Sequence, residues 1–274
     1  MNGRDIAGHT ARKRFGQNFL VAPGIVARIV AAIAPQPDDN MVEIGPGLGA
    51  LTEPLLARID RLQVIEIDRD LIDRLRARFA AERLSIHAGD ALDFDFAALG
   101  SGLRIVGNLP YNISTPLLFH LAGFADRVRD MHFMLQREVV DRIVAPPGSS
   151  AYGRLSVALQ YRFHAERLFL VPPGAFRPAP KVESAIVRLM PRPATELTAR
   201  DAALFDRLVT AAFGQRRKML RNTLRDWLGE EDWLALAIAP TARAETLTVA
   251  DFVRIANRLA MRSCAATPAG DQTQ

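Results

Sequence analysis

The chain has 274 residues, 49% hydrophobic and 24% charged, values of a globular protein with a real core rather than a disordered one. Lys plus Arg number 35 against 30 for Asp plus Glu, and the resulting net charge of +5 and pI of about 9.9 suit a polyanionic partner without demanding one. One cysteine, Cys264, excludes a disulfide framework or a cysteine-rich metal site, and the five scattered histidines form no HExxH pair, so no metal is expected.

Residues 1–15 are polar and basic, with Arg12, Lys13 and Arg14 consecutive, and read as a mobile arm without signal-peptide character. Pro23 to Ala34 predicts a short helix, with Ile25, Ile29 and Ile33 along one face. The apolar run Ile25 to Ala34 contains Arg28 and is too short to span a bilayer, so a cytoplasmic protein with no membrane partner is expected. An alternation follows. Met41–Ile44 reads as a strand, Leu51–Arg58 as a helix, and Leu62–Ile67 as a second strand. Asp68 can cap the next helix, whose apolar stripe is Leu71, Leu75 and Phe79. Leu84–His87, Leu103–Val106 and Met131–Gln136 are three further strands, the last followed by a helix to about Val144. This order predicts an α/β fold with a mainly parallel sheet. A helix over about 153–163 precedes two late strands, Glu166–Val171 and Ser184–Met190, whose short connection makes them antiparallel. Met190 to Thr195 reads as a linker, with a domain boundary near residue 192 and helices beyond it.

The segment Glu43-Ile44-Gly45-Pro46-Gly47-Leu48-Gly49 lies between a strand and a helix, where glycines allow a tight turn and close approach to a ligand. Its spacing is G-x-G-x-G, not the dinucleotide G-x-G-x-x-G. A pyrophosphate would sit on the helix N-terminus, whereas acids here suit a ligand with a sulfonium and an amino acid end. Glu66 closes the second strand, where a carboxylate can accept from two ribose hydroxyls. Asp90 closes the third, where it can accept from an adenine amine. Acids at these strand ends favour S-adenosylmethionine over NAD.

Asn108-Leu109-Pro110-Tyr111 closes the fourth strand. Methyl transfer to an exocyclic adenine amine requires drawing the N6 lone pair out of the ring. The Asn108 side-chain oxygen and the Leu109 carbonyl can do so by accepting the N6 hydrogens. Pro110 fixes the backbone, and Tyr111 offers a face on which an extruded base can stack. The scheme rests on positioning and needs no strong general base.

Four segments occur in order: Arg14-Phe15-Gly16-Gln17-Asn18-Phe19-Leu20, Glu43–Gly49, Asn108–Tyr111 with Asn112-Ile113-Ser114, and Phe176-Arg177-Pro178-Ala179-Pro180-Lys181-Val182. Together they resemble the ribosomal RNA adenine dimethyltransferases, most nearly the bacterial small-subunit type, over about residues 12–262. The resemblance implies a Rossmann-like class I S-adenosylmethionine-dependent methyltransferase sheet of seven strands with an antiparallel last hairpin, over 16–191. A small all-α RNA-binding domain would follow over 192–262, with a disordered tail at 263–274. It implies N6,N6-dimethylation of two adjacent adenosines in the hairpin near the 3′ end of 16S rRNA, within an immature 30S subunit. By motif, Asn18 and Leu20 would touch the methionine end of the cofactor, with Gly45 beneath it in the loop that Gly47 shares. Glu66 would hold the ribose and Asp90 the adenine. Asn108 would lie between cofactor and target, with Tyr111 on one face of the base and Phe176 on the other. A monomer is the simplest expectation.

From Arg207 to Arg225 there are six cations and no acids: Arg207, Arg216, Arg217, Lys218, Arg221 and Arg225. On a helical wheel Lys218, Arg221 and Arg225 oppose a Met219/Leu220/Leu224/Trp227 stripe, with Arg217 at its edge and Arg216 at the helix start. Such a face is more often merely solvated, but the lack of a balancing acid and the resemblance to an RNA-binding family together predict RNA phosphate contacts. Two other readings stay open at this stage. One is a 23S rRNA methyltransferase of the macrolide-resistance type, which more often carries isoleucine where this chain has Leu109. The other is a ribosome-assembly factor whose binding outweighs its methylation.

Overall fold

The computed structural model describes residues 17–215 and 217–262 in full, with the backbone of 5–6, 9–10 and 263–265. Of the basic arm, only β1 (Asp5–Ile6) and β2 (His9–Thr10) are among the described residues, as an antiparallel pair; Arg12, Lys13 and Arg14 lie outside them. Contacts divide the chain into two units, Met1–Asp141 with Phe163–Pro191, and Arg142–Arg162 with Arg192–Gln274.

The first unit opens with β3 (Phe19–Leu20) and α1 (Pro23–Ile33). It continues through β4 (Met41–Ile44), α2 (Thr52–Leu56), β5 (Leu62–Glu66), α3 (Arg69–Arg78), β6 (Leu84–Ala88) and β7 (Leu103–Asn108). After α4 (Ser114–Ala122) come β8 (Val128–Gln136), β9 (Phe163–Val171), β10 (Phe176–Arg177) and β11 (Ser184–Pro191). Seven strands form one sheet in the order β6-β5-β4-β7-β8-β11-β9. The first five are parallel, and β11 runs antiparallel to both β8 and β9, the expected seven-stranded α/β sheet with its antiparallel hairpin. Every residue of β4 is buried, Glu43 included, as in a strand covered on both faces. Strand order reverses between β4 and β7, which sets a crevice at their carboxyl ends. Asp68 caps α3 as expected, accepting from the Asp70 amide at 3.2 Å, and Leu71 and Leu75 are buried beneath that helix.

The opposite end of β7 is pinned by a buried cation. Arg104 donates to both oxygens of Asp130 and to Asp39, and its Nη2 also reaches the Ile33 carbonyl at the end of α1 at 2.6 Å. Both carboxylates are nearly shielded from solvent.

The second unit is helical. It takes the end of α5 (Arg137–Val144), then α6 (Arg154–Arg162), α7 (Ala202–Ala212), α8 (Leu220–Thr223), α9 (Glu230–Leu236) and α10 (Val249–Ala265). A linear boundary near 192 would leave residues 142–162 with the sheet. They belong instead to the helical unit, where Tyr152, Val157 and Tyr161 share a core with Phe205, Leu208 and Phe252. The Tyr161 and Phe205 rings lie 4.3 Å apart between centroids. Six of the nine residues of α6 are buried, and its polar residues are scattered around the helix, so no single apolar face in the sequence shows which core it joins. The last helix also runs through Ala265, past the expected start of the tail at 263. Among the described residues no helix is long and apolar enough to cross a membrane.

Replacing Arg104 removes the shared cation between two shielded carboxylates, leaving Asp39 with Arg129 and Asp130 with His132. Arg104→Met is therefore expected to lower the unfolding free energy by about 3 kcal/mol, read by urea denaturation. A loss within error of zero would contradict this account of the β7 anchor.

Candidate active site

At the end of β4 the chain turns through Gly45, Gly47 and Gly49, with φ of 67°, 59° and 85°. Side chains are strained in this left-handed region, which is why glycine stands at each position. The Gly45 amide donates to the Ile65 carbonyl at 2.9 Å and ties the loop to β5. The Gly47 amide donates to Glu66 Oε2 at 3.3 Å. Glu66 Oε1 accepts from the amides of Ile67 and Asp68 at 3.0 and 2.9 Å, so three backbone donors orient this buried carboxylate. Burial pushes its pKa upward, against the pull of those hydrogen bonds. Just beyond β6, Asp90 Oδ1 accepts from the Leu92 amide at 2.9 Å.

Strand β7 continues two residues beyond the Val106 expected from sequence, so Asn108 is a strand residue paired with Met134 of β8. Its Nδ2 donates to the Asn18 carbonyl at 2.8 Å. A carbonyl only accepts, so this contact turns the amide nitrogen toward Asn18 and leaves Oδ1 as the acceptor the side chain presents elsewhere. Tyr111 is half-buried, and its hydroxyl shares a 2.7 Å hydrogen bond with Ser184 Oγ. Burial raises the pKa of this phenol. The segment before α1 is held at two points. Gln17 Nε2 donates to Asp68 Oδ2 at 3.1 Å, and β3 pairs antiparallel with β10.

These parts surround a cavity of about 320 Å³. Asn18, Leu20, Gly45, Gly47, Glu66, Asp90, Asn108, Leu109, Pro110 and Tyr111 all line it, so ten positions singled out from sequence converge. Phe176 does not. It is 0% exposed, opposite Leu20 in the β3–β10 pair and in one buried cluster with Val171 and Ile186. Among the described residues no cluster of side chains could hold a metal ion.

In the helical unit, Arg217, Lys218, Arg221 and Arg225 are exposed, while Arg216 lies outside the described residues. The single amphipathic helix expected here is not formed, since α8 covers only Leu220–Thr223. Met219 is extended because it bridges to Arg243, a tertiary pairing that overrides the local helical period. The apolar half of the pattern holds, with Leu220 and Leu224 buried. Arg225 has an acid nearby after all, Asp226 at 3.5 Å.

Sequence reasoning missed Thr52, Gln17 and Ser184, polar partners whose contacts are spread along the chain and carry no local spacing signal. Thr52 Oγ1 donates to Glu43 Oε2 at 2.6 Å. Glu43 is fully enclosed, and burial lifts its carboxyl to about 7, opposed by the Thr52 hydrogen bond and aided by the charge of Glu66. The unfolded chain loses this proton near 4.5, and the folded chain keeps it to about 7. The contribution of this carboxyl to stability is therefore fully present at low pH and falls as pH rises across that window, by roughly 3 kcal/mol. Glu43→Gln mimics the protonated carboxyl and should lack this slope. In thermal melts of ligand-free protein the Tm gap should shift in the variant's favour between about pH 5 and pH 7.5. A gap that stays constant with pH would refute the buried-acid assignment.

Comparison with known proteins gives the same reading as the geometry. The model of the family described as ribosomal RNA adenine dimethylase matches residues 8–261. The ribosomal RNA small subunit methyltransferase A of Aromatoleum aromaticum is 67% identical over 255 residues, 93% of this chain and 96% of that protein. Among solved structures, a dimethyladenosine transferase from Plasmodium falciparum superposes with a TM-score of 0.78 at 25% identity, covering 89% of this chain and 98% of the other. The 23S rRNA methyltransferase ErmE superposes with a TM-score of 0.67 at 26% identity, covering 89% of this chain and 100% of the other. The chain belongs to the ribosomal RNA adenine dimethylase family.

Proposed function

We infer that this protein transfers methyl groups from S-adenosylmethionine to the N6 amines of two adjacent adenosines in the 3′-terminal hairpin of 16S rRNA. One observation carries the reading. Asn108, its amide held by the Asn18 carbonyl, stands in the wall of the cavity that also holds Glu66, Asp90 and Tyr111.

The cavity fits the donor. A loop with left-handed glycines permits close backbone approach, and two carboxylates at strand ends can accept from ribose hydroxyls and an adenine amine. S-adenosylmethionine supplies an electrophilic methyl group when bound. The protein's part is to hold the acceptor amine. Asn108 Oδ1 and the Leu109 carbonyl accept the N6 hydrogens and draw the lone pair onto nitrogen, while Tyr111 stacks on the extruded base. Relatives of this identity are named for the small subunit, whereas the 23S enzyme is the more distant likeness. The proposed partner is therefore 16S rRNA in an immature 30S subunit, met in the cytoplasm by one copy of the chain. Exposed Arg217, Lys218, Arg221 and Arg225 supply phosphate contacts, which add affinity and position rather than sequence choice.

Labelled methyl transfer to 30S subunits lacking the modification tests the reading. Asn108→Ala is expected to slow transfer by about 100-fold or more while the folded chain persists. An unchanged rate would remove Asn108 from the chemistry. Alanine at Arg217, Lys218 or Arg221 should each lower the slope of log binding constant against log salt by about 1. Slopes equal to wild type would exclude those side chains from the RNA contact.

A further inference from the structure

We propose that Ser184 is a positioning residue for methyl transfer, holding the Tyr111 ring through the hydroxyl–hydroxyl bond at its far end. This rests on the adenine N6 reading above. Tyr111 lies in the turn beyond the last β7–β8 pair, Asn108 with Met134, so no strand ladder restrains it. Its carbonyl accepts from Ser114 Oγ at 3.0 Å, which fixes the backbone at the start of α4. A fixed backbone leaves the side-chain torsions open. The second restraint comes from a different strand.

Ser184 opens β11 and is paired on both sides, with Gln136 of β8 and Val171 of β9. The preceding residue is held as well, since the Glu183 carbonyl accepts from the Arg137 amide at 2.9 Å. Ser184 is 0% exposed, so its hydroxyl has no alternative bulk-water partner. Its Oγ lies 2.7 Å from Tyr111 Oη. The ring is thus anchored at its root by Ser114 and at its tip by the sheet. Ser184 does not line the cavity, so it touches neither donor nor base and acts only through Tyr111. A stacking platform helps catalysis by standing in one place before the base arrives, and a rigid supporting residue provides that.

The test compares wild type, Ser184→Ala, Ser184→Cys, Tyr111→Phe and the double variant Ser184→Ala/Tyr111→Phe. Single-turnover methyl transfer to unmodified 30S subunits is measured at saturating S-adenosylmethionine, with donor Kd and Tm in parallel. Ser184→Ala and Tyr111→Phe should each slow transfer by about tenfold, the worth of one hydrogen bond. The double variant should be no slower than Tyr111→Phe alone, donor Kd should be unchanged, and Ser184→Cys should recover part of the rate. A wild-type rate in Ser184→Ala overturns the proposal, as do losses that multiply in the double variant or that follow donor affinity. If Ser184→Ala does not fold, Tyr111→Phe decides, because it keeps the ring and a wild-type rate there overturns the role. A wild-type chain that methylates no adenosine would overturn the proposed function itself.

Discussion

The site depends on how closely two strands approach at the centre of the sheet. A Cβ at Gly107 would lie 2.6 Å from the Ile44 carbonyl oxygen and 3.0 Å from Leu109 Cδ2, so no other residue fits there without moving backbone. With β4 and β7 in parallel register, Glu43 opposite Val106, the chain leaves both strands at the same edge. One exit becomes the glycine loop and the other becomes the Asn-Leu-Pro-Tyr turn. The proposed donor and acceptor sites are therefore neighbours, a side chain at Gly107 would force backbone apart there, and each later contact refines that juxtaposition. The Asn18 carbonyl sets the Asn108 amide, Glu66 gathers the loop, and Ser184 anchors Tyr111.

The charges are divided by place. The protein is basic overall, yet the cavity wall carries Glu43, Glu66 and Asp90. Burying carboxyls is unfavourable, and the structure offsets it in two ways. Glu66 is surrounded by three backbone donors, while Glu43 is held near neutrality by the apolar enclosure that lifts its pKa. A pyrophosphate would meet like charge here, whereas a ligand rich in hydroxyl and amine donors would find acceptors. Cations stand exposed at Arg217, Lys218, Arg221 and Arg225, suited to a polyanion. In the proposed function the small ligand and the large one are thus addressed by opposite chemistry.

Much of this was legible in the sequence because it is local. The glycine run between strand and helix, the Asp68 cap and the acids at strand ends are all encoded by neighbours in the chain. What was not legible is non-local. Phe176 belongs to a motif whose position suggested a base contact, and nothing local foretells the pairing of β10 with β3 or the enclosure of this residue. Residues 217–225 have a helical period, yet the bridge from Met219 to Arg243 extends the backbone and shortens the helix to Leu220–Thr223. The helix Arg154–Arg162 has its polar residues, Arg154, Ser156, Gln160 and Arg162, scattered around the helix, so only the assembled core shows that it packs with Phe205 and Phe252.

The central claim is that these strand ends dimethylate adenosine in small-subunit RNA. The most direct measurement is mass spectrometry of nuclease digests of 16S and 23S rRNA, after the protein has acted with S-adenosylmethionine on both subunits from cells lacking the modification. The account predicts N6,N6-dimethyladenosine at two adjacent positions in the 3′-terminal hairpin fragment of 16S rRNA and none gained in 23S rRNA. Dimethyladenosine in 23S rRNA alone, or in neither RNA, would contradict it.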